Sequence, residues 1–550
     1  MTDPTIAELL ASAEPSGARP LQDLIERLSR SGRLRGAREG GRAIGPAALG
    51  SVDVRGVTDD SRTVGPGMLF VALPGLHVDG HDFVAGAATR GAAAAIVERP
   101  LPEVALPQLI VDRAAAGLAQ AAAWWYGDPS HELGIVGITG TDGKTTTSFL
   151  AVAAIEAAGL SSGLIGTVET KIGQVRESNP EHMTTPGAPF LQRALRAMVR
   201  AGNKVAVVET TSHGLAADRV AGIAYDVAVL TNLTHEHLEF HGSWEAYRDA
   251  KLSLFERLAA GPANAVKQLE GRGWPKAAVV NADDPNAGAF VGVAQEAGAR
   301  IVTYGTDAAA DVRAIRVEED AQRLRIAYEA PSGASTLELR LAGRFNVHNA
   351  LAVVAVGEVL GLDPAAVRTG LESVEVVPGR MERLDLGQPF GVVIDYAHSP
   401  ASLEKVLGLL APLAAARGGE VIAVFGSAGE RDIDKRPMMG RIAGQLCRLV
   451  IVTDEDPRGE LSEQILEAIA RGAESAGKRR DRDLFLIADR PTAIAAAFER
   501  ARPGDIVLLA GKGHEQSIIG PGGPVPYDER SVAIDALAAM GVADPRSTTG

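Results

Sequence analysis

The sequence holds a single cysteine, Cys447, in 550 residues. No intrachain disulfide can form, so apolar cores must hold the fold, as suits a reducing compartment. Cys447 itself, in GQLCRLV, reads as a buried core residue. Aromatic residues are also scarce, at 4%, while Gly reaches 62 copies, a balance that suits helices packed closely on sheets. No run approaches the ~20 uninterrupted apolar residues of a membrane-spanning helix. The opening MTDPTIAELLASAEPSGARP lacks a basic stretch followed by an apolar one, so no secretory signal is expected there. Positive charge is in deficit, with 55 Lys and Arg against 69 Asp and Glu. The resulting net charge of -14 opposes nucleic acid and anionic membrane, without excluding a local basic pocket for phosphates. These absences predict a cytoplasmic protein with neither nucleic-acid binding nor membrane insertion.

What is present is α/β patterning on a chain long enough for about three domains. Residues 1–20 are polar and read as a loose extension, LQDLIERLSR has helical spacing, and the basic SGRLRGAREGGRAIG reads as mobile. The first clear folded element is expected at VDVRGVTDDSR, followed by the buried strands MLFVAL and AAAAIVE with the helix VAGAATRG between them. ELGIVGITG and TTTSFLAVAAIEAAG form a strand–loop–helix unit. KVAVVETTSH, YDVAVLTNLTHEH and KAAVVNADD repeat one format, a buried strand that delivers polar residues at its carboxyl end. In open parallel sheets that is where ligands bind. DVRAIRVEED, QRLRIAYEA and STLELRL read as a short antiparallel addition. A third α/β domain is expected from GRFNVHNALAVVAVG, with GVVIDYAHSP, GEVIAVFGSAGERD, CRLVIVTDEDPR and GDIVLLAGKGHE as strands with charged ends. The tail VADPRSTTG reads as disordered.

The loop Gly140-Thr141-Asp142-Gly143-Lys144-Thr145-Thr146 follows a strand and opens a helix. Its glycines let backbone N–H groups turn toward phosphate oxygens, and the helix N-terminus adds a positive dipole end. Lys144 suits β/γ-phosphate neutralisation and the Thr145 hydroxyl suits Mg²⁺. A tight turn of small residues would not need a lysine followed by three threonines. Glu209 and His237 close the next two strands, a carboxylate and an imidazole on the side of this loop. Mg²⁺ prefers oxygen ligands but tolerates one His among waters and phosphates. His235 and His241, which flank His237, are read as structural.

The segment ITGTDGKTTT resembles the TGTNGKTTT loop of the Mur ligases, with Asp142 where Asn is usual. The resemblance continues, in the family's order, through TDDSRTVGPGMLFVALPGLHVDGHDF, Thr184–Pro186, ETTSHGLAADRV, TNLTHEHLEFHG, YRDAKLSLF, GRFNVHNAL, GRMERL, DYAHSP, GERDIDKRP and GKGHE. Within the family it is similar to the UDP-N-acetylmuramoyl-tripeptide synthetases.

That resemblance implies an α/β protein of three domains: a uridine-nucleotide domain at 1–130, a P-loop-type ATPase domain at 131–342 and a Rossmann-like amino-acid domain at 343–550. It implies that ATP phosphorylates the D-Glu γ-carboxylate of UDP-MurNAc-L-Ala-D-Glu and that a diamino acid attacks the acyl phosphate. It also implies a monomer, Mg²⁺ as cofactor, and Lys144, Glu209, His237 and Lys251 as the catalytic set. Lys251 is expected as a carbamate, which with Thr145, Glu209 and His237 would serve the metal. Asn349, Arg380, Asp395 and His398 match ATP-contacting residues, although each also suits a cap or a solvated surface. Ser61, Thr184, Thr185, Thr211 and Arg219 are implied for the uridine-nucleotide substrate. Arg431, Glu455, Asp456, Pro457, Arg458, Gly511 and Glu515 are implied for the amino acid. Arg suits a carboxylate and Glu515 an ammonium.

Three positions depart from the family pattern. Met183 replaces an Asn, Ala217 replaces a Gln, and Glu455-Asp456-Pro457-Arg458 stands where diaminopimelate-adding enzymes read D-N-P-R. The last leaves the amino acid open between meso-diaminopimelate, favoured by Arg458, and lysine or ornithine, which would follow if Asp456 neutralised Arg458. Two other readings stay beside this one. Folylpolyglutamate synthase shares the loop and lysine but continues G-K-G-S and lacks a DDSR-type domain; a non-catalytic homologue would have no need of the catalytic set.

Overall fold

Short apolar runs alternating with small-residue helices fold here as parallel sheets covered by helices. The computed structural model describes residues 4–75, 78–179, 181, 183–234, 238–259, 267–269, 272–319 and 323–542. Two compact units divide the chain, the first comprising 1–317, 325–337 and 345–373, the second 318–324, 338–344 and 374–550.

The first unit begins with a helix, α1 (Ile6–Ser12), where the sequence reads as loose. Thr5 and Glu8 close a reciprocal capping box, which satisfies two helix-end donors. Ile6 and Leu10, one helical turn apart, are buried with Ala13 in the same core as Leu191, Leu195, Ala206 and Val208. The Ile6 amide donates to Glu177 Oε1 at 2.9 Å, and Tyr126 Oη donates to Glu14 Oε1 at 2.8 Å, so the segment is tied down at both ends.

The stretch expected to be mobile is a β-hairpin, β1 (Leu34–Glu39) and β2 (Arg42–Ile44). Gly40 and Gly41, both at positive φ, make its two-residue turn and match the twist of paired strands. With β3 (Val57–Thr58), β4 (Leu69–Val71), β5 (Ala94–Val97) and β6 (Gln108–Val111) it builds a six-stranded sheet in the order β2-β1-β6-β5-β4-β3. The four strands β3 to β6 are parallel, and β1 joins β6 antiparallel.

The larger sheet of this unit gathers β7 (Gly134–Thr139), β8 (Ser162–Ile165), β9 (Glu169–Ile172), β10 (Val175–Ser178), β11 (Val205–Glu209), β12 (Val227–Leu230), β13 (Ala277–Asn281), β14 (Arg300–Gly305), β15 (Val312–Glu319), β16 (Leu324–Ala330) and β17 (Gly333–Leu339). Their order is β10-β9-β8-β11-β7-β12-β13-β14-β15-β16-β17. From β8 to β14 all pairs are parallel, and β7, β11, β12 and β13 are buried along their whole length, as strands covered on both faces must be. The expected antiparallel addition therefore continues this sheet, and its first step, β14 to β15, is parallel. Helix α2 (Lys144–Ala157) follows β7, and α3 (Trp244–Glu256) precedes β13. Helices α4 (Phe345–Leu360) and α5 (Pro364–Ser373), assigned from the sequence to the third domain, pack on α2 and belong to the first unit.

The second unit holds β18 (Glu382–Leu384), β19 (Gly391–Asp395), β20 (Val421–Phe425), β21 (Leu449–Val452), β22 (Leu484–Leu486) and β23 (Ile506–Ala510), ordered β18-β19-β23-β20-β21-β22. All neighbours are parallel except β18 with β19. Cys447 is buried in its core, as the sequence implies, and burial pushes its thiol up to about 12. Among the described residues no helix is long and apolar enough to cross a membrane. The tail from Ala543 lies outside the described residues.

Leu10 tests whether the N-terminal helix is part of the fold. Leu10→Ala should lower the stability of the first unit by about 2 kcal/mol, through lost burial and the cavity left behind. A urea midpoint unchanged from the parent protein would show that residues 5–13 add nothing to the core.

Candidate functional site

Strand β7 ends at Thr139 and the chain turns through Gly140, whose φ is +150°. A Cβ there would stand 1.8 Å from Thr231 Oγ1, so only glycine lets the loop lie against the end of β12. That end pins the loop. The Thr141 amide donates to Asn232 O at 2.8 Å, the Asp142 amide to Asn232 Oδ1 at 2.9 Å, and Thr231 Oγ1 donates to Asp142 O at 2.6 Å. Gly143, at φ +82°, opens α2, and a Cβ there would meet Asn349 Oδ1 at 2.4 Å. Asn349 also accepts from Thr147 Oγ1 at 3.2 Å and donates to Asn346 at 2.8 Å, so α4 supports the loop from behind. Thr146, on the first turn of α2, is buried.

Two lysine side chains converge on this turn. Lys144 Nζ donates to Gly140 O at 2.9 Å and to Thr141 O at 2.8 Å. Lys251 Nζ, 2% exposed on α3, donates to the same Gly140 O at 2.7 Å and lies 4.6 Å from the Tyr247 ring centroid. Tyr247 in turn shares a hydrogen bond with Thr141 at 2.8 Å. Two cations on one carbonyl, beside a helix N-terminus, make a place for a polyanion.

Of the expected metal set Thr145, Glu209, His237 and Lys251, the first two meet: Thr145 Oγ1 donates to Glu209 Oε2 at 3.0 Å, both groups being buried. A hydroxyl beside a carboxylate is an oxygen set that fits Mg²⁺, which completes its shell with water and phosphate. Among the described residues no group of three or more His, Cys, Asp or Glu could hold a metal by itself, in keeping with so sparse a set. His235 and His237 lie outside the described residues. His241 stacks edge-on with Tyr247, 5.4 Å between centroids, and with Phe240 and His213, the packing role expected of it.

The expected substrate residues fall beside Glu209. Thr185 Oγ1 bonds to Glu209 O at 2.9 Å and to Thr211 Oγ1 at 3.0 Å, while Arg219 Nη1 donates to Thr185 O at 2.8 Å. Burial lowers the Arg219 guanidinium below its ordinary value. Such a cation favours an incoming anion. Met183, which replaces the usual Asn, is exposed, and Asn179 Nδ2 ties Met183 O to Gly166 O at 2.9 and 2.7 Å. Ala217 ends the short helix after Thr211. Ser61 stands elsewhere, on a 3-10 turn of the first sheet that is capped by Asp60.

In the second unit the carboxyl ends of β19, β23, β20 and β21 carry the remaining candidates. Asp395 accepts the Met381 and Ala397 amides, both at 2.8 Å, and so clamps its own loop. His398 shares a hydrogen bond with Tyr396 O at 2.8 Å, and Arg380 lies 5.0 Å from the Tyr396 ring centroid. Asp456 does not neutralise Arg458, the condition set for lysine or ornithine. Its Oδ1 takes Lys512 Nζ at 2.8 Å and the Ile519 amide at 2.9 Å. The same Lys512, 1% exposed, reaches Glu515 Oε2 at 2.5 Å, so the ammonium expected on Glu515 is the protein's own. Pro457 is buried and Arg431 exposed. Glu455 is 6% exposed, and a Cβ on Gly511 would meet its Oε2 at 3.2 Å. Among the described residues Glu455 Oε2 and Arg458 Nε are both buried without a hydrogen-bond partner.

The sequence reading missed Thr167, Asn232, Tyr247 and Lys512. Lys512 is the lysine of GKGHE, and Asn232 and Tyr247 lie in TNLTHEHLEFHG and YRDAKLSLF; Thr167 lies in no segment singled out.

Three family models match the chain: "Mur ligase family, catalytic domain" over residues 53–126, "Mur ligase middle domain" over 138–357 and "Mur ligase, glutamate ligase domain" over 379–513. A UDP-N-acetylmuramyl-tripeptide synthetase from Roseiflexus sp. is 50% identical over 493 residues, 89% of this chain and 95% of the relative. A UDP-N-acetylmuramoyl-L-alanyl-D-glutamate–2,6-diaminopimelate ligase from Geobacter metallireducens is 40% identical over 87% of this chain and 94% of its own length. A solved structure of a ligase with that same description superposes with a TM-score of 0.60 at 30% identity, covering 90% of this chain and 97% of that one.

Burial raises the Glu455 carboxyl above its ordinary value, against the pull of Lys435 and Lys512. The folded state then keeps the proton to higher pH than the unfolded chain, so stability falls as pH rises from the ordinary Glu value through the folded one. Glu455→Gln should remove that loss. Its melting temperature should exceed the parent's at neutral pH, with the gap closing toward about pH 4. An equal gap at every pH would mean that burial does not raise the Glu455 carboxyl.

Proposed function

The chain belongs to the Mur ligase family and is an ATP-dependent ligase that forms carbon–nitrogen bonds, and we propose that it joins a diamino acid to UDP-MurNAc-L-Ala-D-Glu in peptidoglycan precursor synthesis. The full-length relatives favour this reading over folylpolyglutamate synthase, and retention of Lys144, Glu209 and Lys251 argues against a non-catalytic homologue. The observation that carries it is the convergence of Lys144, Lys251, Thr145 and Glu209 on one glycine turn.

Such a site works by positioning and charge. Backbone amides from Gly143 onward and the Lys144 ammonium would hold the β- and γ-phosphates, with Asn349 bracing Gly143. Mg²⁺ on Thr145 and Glu209 would offset phosphate charge. Thr184, Thr185, Thr211 and Arg219 would hold the uridine-nucleotide substrate so that its γ-carboxylate meets the terminal phosphate. An acyl phosphate forms, the amine attacks its carbonyl, and phosphate leaves; no protein nucleophile is needed. On the second unit Arg380, Asp395 and His398 stay our assignments for ATP, and Ser61 for the uridine nucleotide. We place the reaction in the cytoplasm, by a monomer.

We assign Lys251 a carbamate. As a bare ammonium it shares the Gly140 carbonyl with Lys144, and like charges so close favour loss of one of them. The ammonium would first lose a proton, and the free amine would then add to carbon dioxide and release a second, turning a cation into an anion that can face the metal. Lys251→Ala should be nearly inactive and regain activity with added short carboxylates; fully active enzyme whose intact mass and density show a bare lysine would overturn the assignment.

The amino acid we assign is meso-diaminopimelate. A buried Glu455 oxygen and a buried Arg458 nitrogen, both without partners, suit a ligand end with an ammonium and a carboxylate, whereas lysine and ornithine carry only the ammonium. With Asp456 held by Lys512, Arg458 keeps its charge for that carboxylate. ADP formation in the presence of UDP-MurNAc-L-Ala-D-Glu should be fastest with diaminopimelate. Arg458→Ala should lose about 2 kcal/mol or more of transition-state stabilisation with it alone. Faster turnover with lysine or ornithine would replace the amino acid, and no ADP with any of them would remove the ligase reading.

A further inference from the structure

Thr167, on the loop between β8 and β9, lies outside every set of residues assigned so far, yet it touches two of them. Its amide donates to Glu209 Oε1 at 3.1 Å and its hydroxyl to Glu209 Oε2 at 2.8 Å, so one residue grips both oxygens of the carboxylate. The same hydroxyl lies 2.9 Å from Thr184 Oγ1 and 3.3 Å from Thr145 Oγ1. The loop is built for this approach: a Cβ on the preceding Gly166 would stand 2.4 Å from Glu209 Oε1. Asn179 holds the other side, donating to Gly166 O and Met183 O and so fixing the loop against the segment that carries Thr184.

Counting protons gives the arrangement a direction. A carboxylate only accepts, so the single hydroxyl proton of Thr167 goes to Glu209. Thr167 can then meet Thr184 only as an acceptor, and Thr184 must donate to it. With its own proton so engaged, Thr184 presents lone pairs to whatever binds beside it. Removing the Thr167 oxygen would take one of the two hydroxyl bonds from Glu209 Oε2 and let Thr184 turn its proton outward.

We propose that the Thr167 hydroxyl is a positioning group of the ligase reaction, coupling the Glu209 carboxylate to Thr184, so that metal binding and uridine-nucleotide substrate binding depend on one oxygen. This rests on the reading of Glu209 as metal ligand and Thr184 as substrate contact. It adds that the two are linked and that Thr184 meets the substrate as an acceptor.

The test uses the full-length enzyme with Thr167→Val, Thr167→Ser and Thr184→Val. Calorimetry without ATP or metal reads the affinity for UDP-MurNAc-L-Ala-D-Glu. Electron paramagnetic resonance with Mn²⁺ and a non-hydrolysable ATP analogue reads the metal midpoint. Thr167→Val should weaken both by about tenfold, the scale of a lost hydrogen bond to a charged group, and Thr167→Ser should restore both. Thr184→Val, which removes no bond to Glu209, should still shift the Mn²⁺ midpoint several-fold. If Thr167→Val fails to fold, that last shift decides the matter by itself. A Thr167→Val protein with either constant unmoved, or a Thr184→Val protein with the parent's Mn²⁺ midpoint, overturns the coupling. A parent enzyme that binds no UDP-MurNAc-L-Ala-D-Glu overturns instead the functional reading beneath it.

Discussion

The carbonyl of Gly140 is the point on which the first unit's chemistry turns. It receives the ammonium of Lys144 from the loop and that of Lys251 from α3, a helix more than a hundred residues away in the chain. The carbonyl can be reached from both sides only because residue 140 has no Cβ and the backbone lies against Thr231. Two ammonium groups that share one carbonyl oxygen repel each other. The fold keeps them there by packing, with Lys251 buried over Tyr247 and Tyr247 bonded to Thr141. The carbamate assigned to Lys251 would relieve that repulsion and leave Lys144 as the cation for phosphate.

Much of this was legible in the sequence because it is local. A strand, a glycine turn and a helix occupy consecutive residues, and the polar tips of β11, β12 and β13 follow from short apolar runs with acids or threonines after them. The helix at Gln22–Arg30 follows from its spacing, whereas residues 1–20 and 31–45 look loose by composition and are ordered by pattern. Ile6 and Leu10 lie four apart behind a Thr-x-x-Glu box, and Gly40-Gly41 sits between two short strands; both are explicit local signals. The edge of the compact unit is not a local feature. Helices α4 and α5 follow the strands of the large sheet in the chain, and only tertiary packing on α2 assigns them to the first unit.

The amino-acid candidates show where sequence reasoning runs out. Glu455-Asp456-Pro457-Arg458 puts two acids and a base within four residues, and proximity in the chain suggests that they neutralise one another. The structure pairs Asp456 instead with Lys512, 56 residues later and almost wholly buried. Which acid keeps its charge is therefore decided between strand ends that are neighbours in the sheet but distant in the chain. Positive φ at Arg458 adds to this, because it turns the backbone so that the Arg458 amide reaches Ile519 O at 2.8 Å. No propensity of arginine would lead one to expect that conformation.

A second buried pair explains how these strand ends keep their positions. Arg490 and Glu529 have no exposed side-chain surface and are joined by two hydrogen bonds, 2.8 and 2.6 Å long. Burial alone would lower the guanidinium, but the Glu529 carboxylate holds it above its ordinary value. As a source of stability such a pair is poor, because desolvating two ions offsets most of their attraction. Its other bonds suggest what it contributes instead. Arg490 donates to Asp454 O at 3.2 Å and to Ala510 O at 2.8 Å, the carbonyls immediately before Glu455 and Gly511. One rigid, planar cation thus sets the separation between the two loops where Glu455 faces Gly511, and a flexible lysine with a single nitrogen could not reproduce that spacing. Arg490 thus fixes the backbone on either side of the unpartnered Glu455 oxygen.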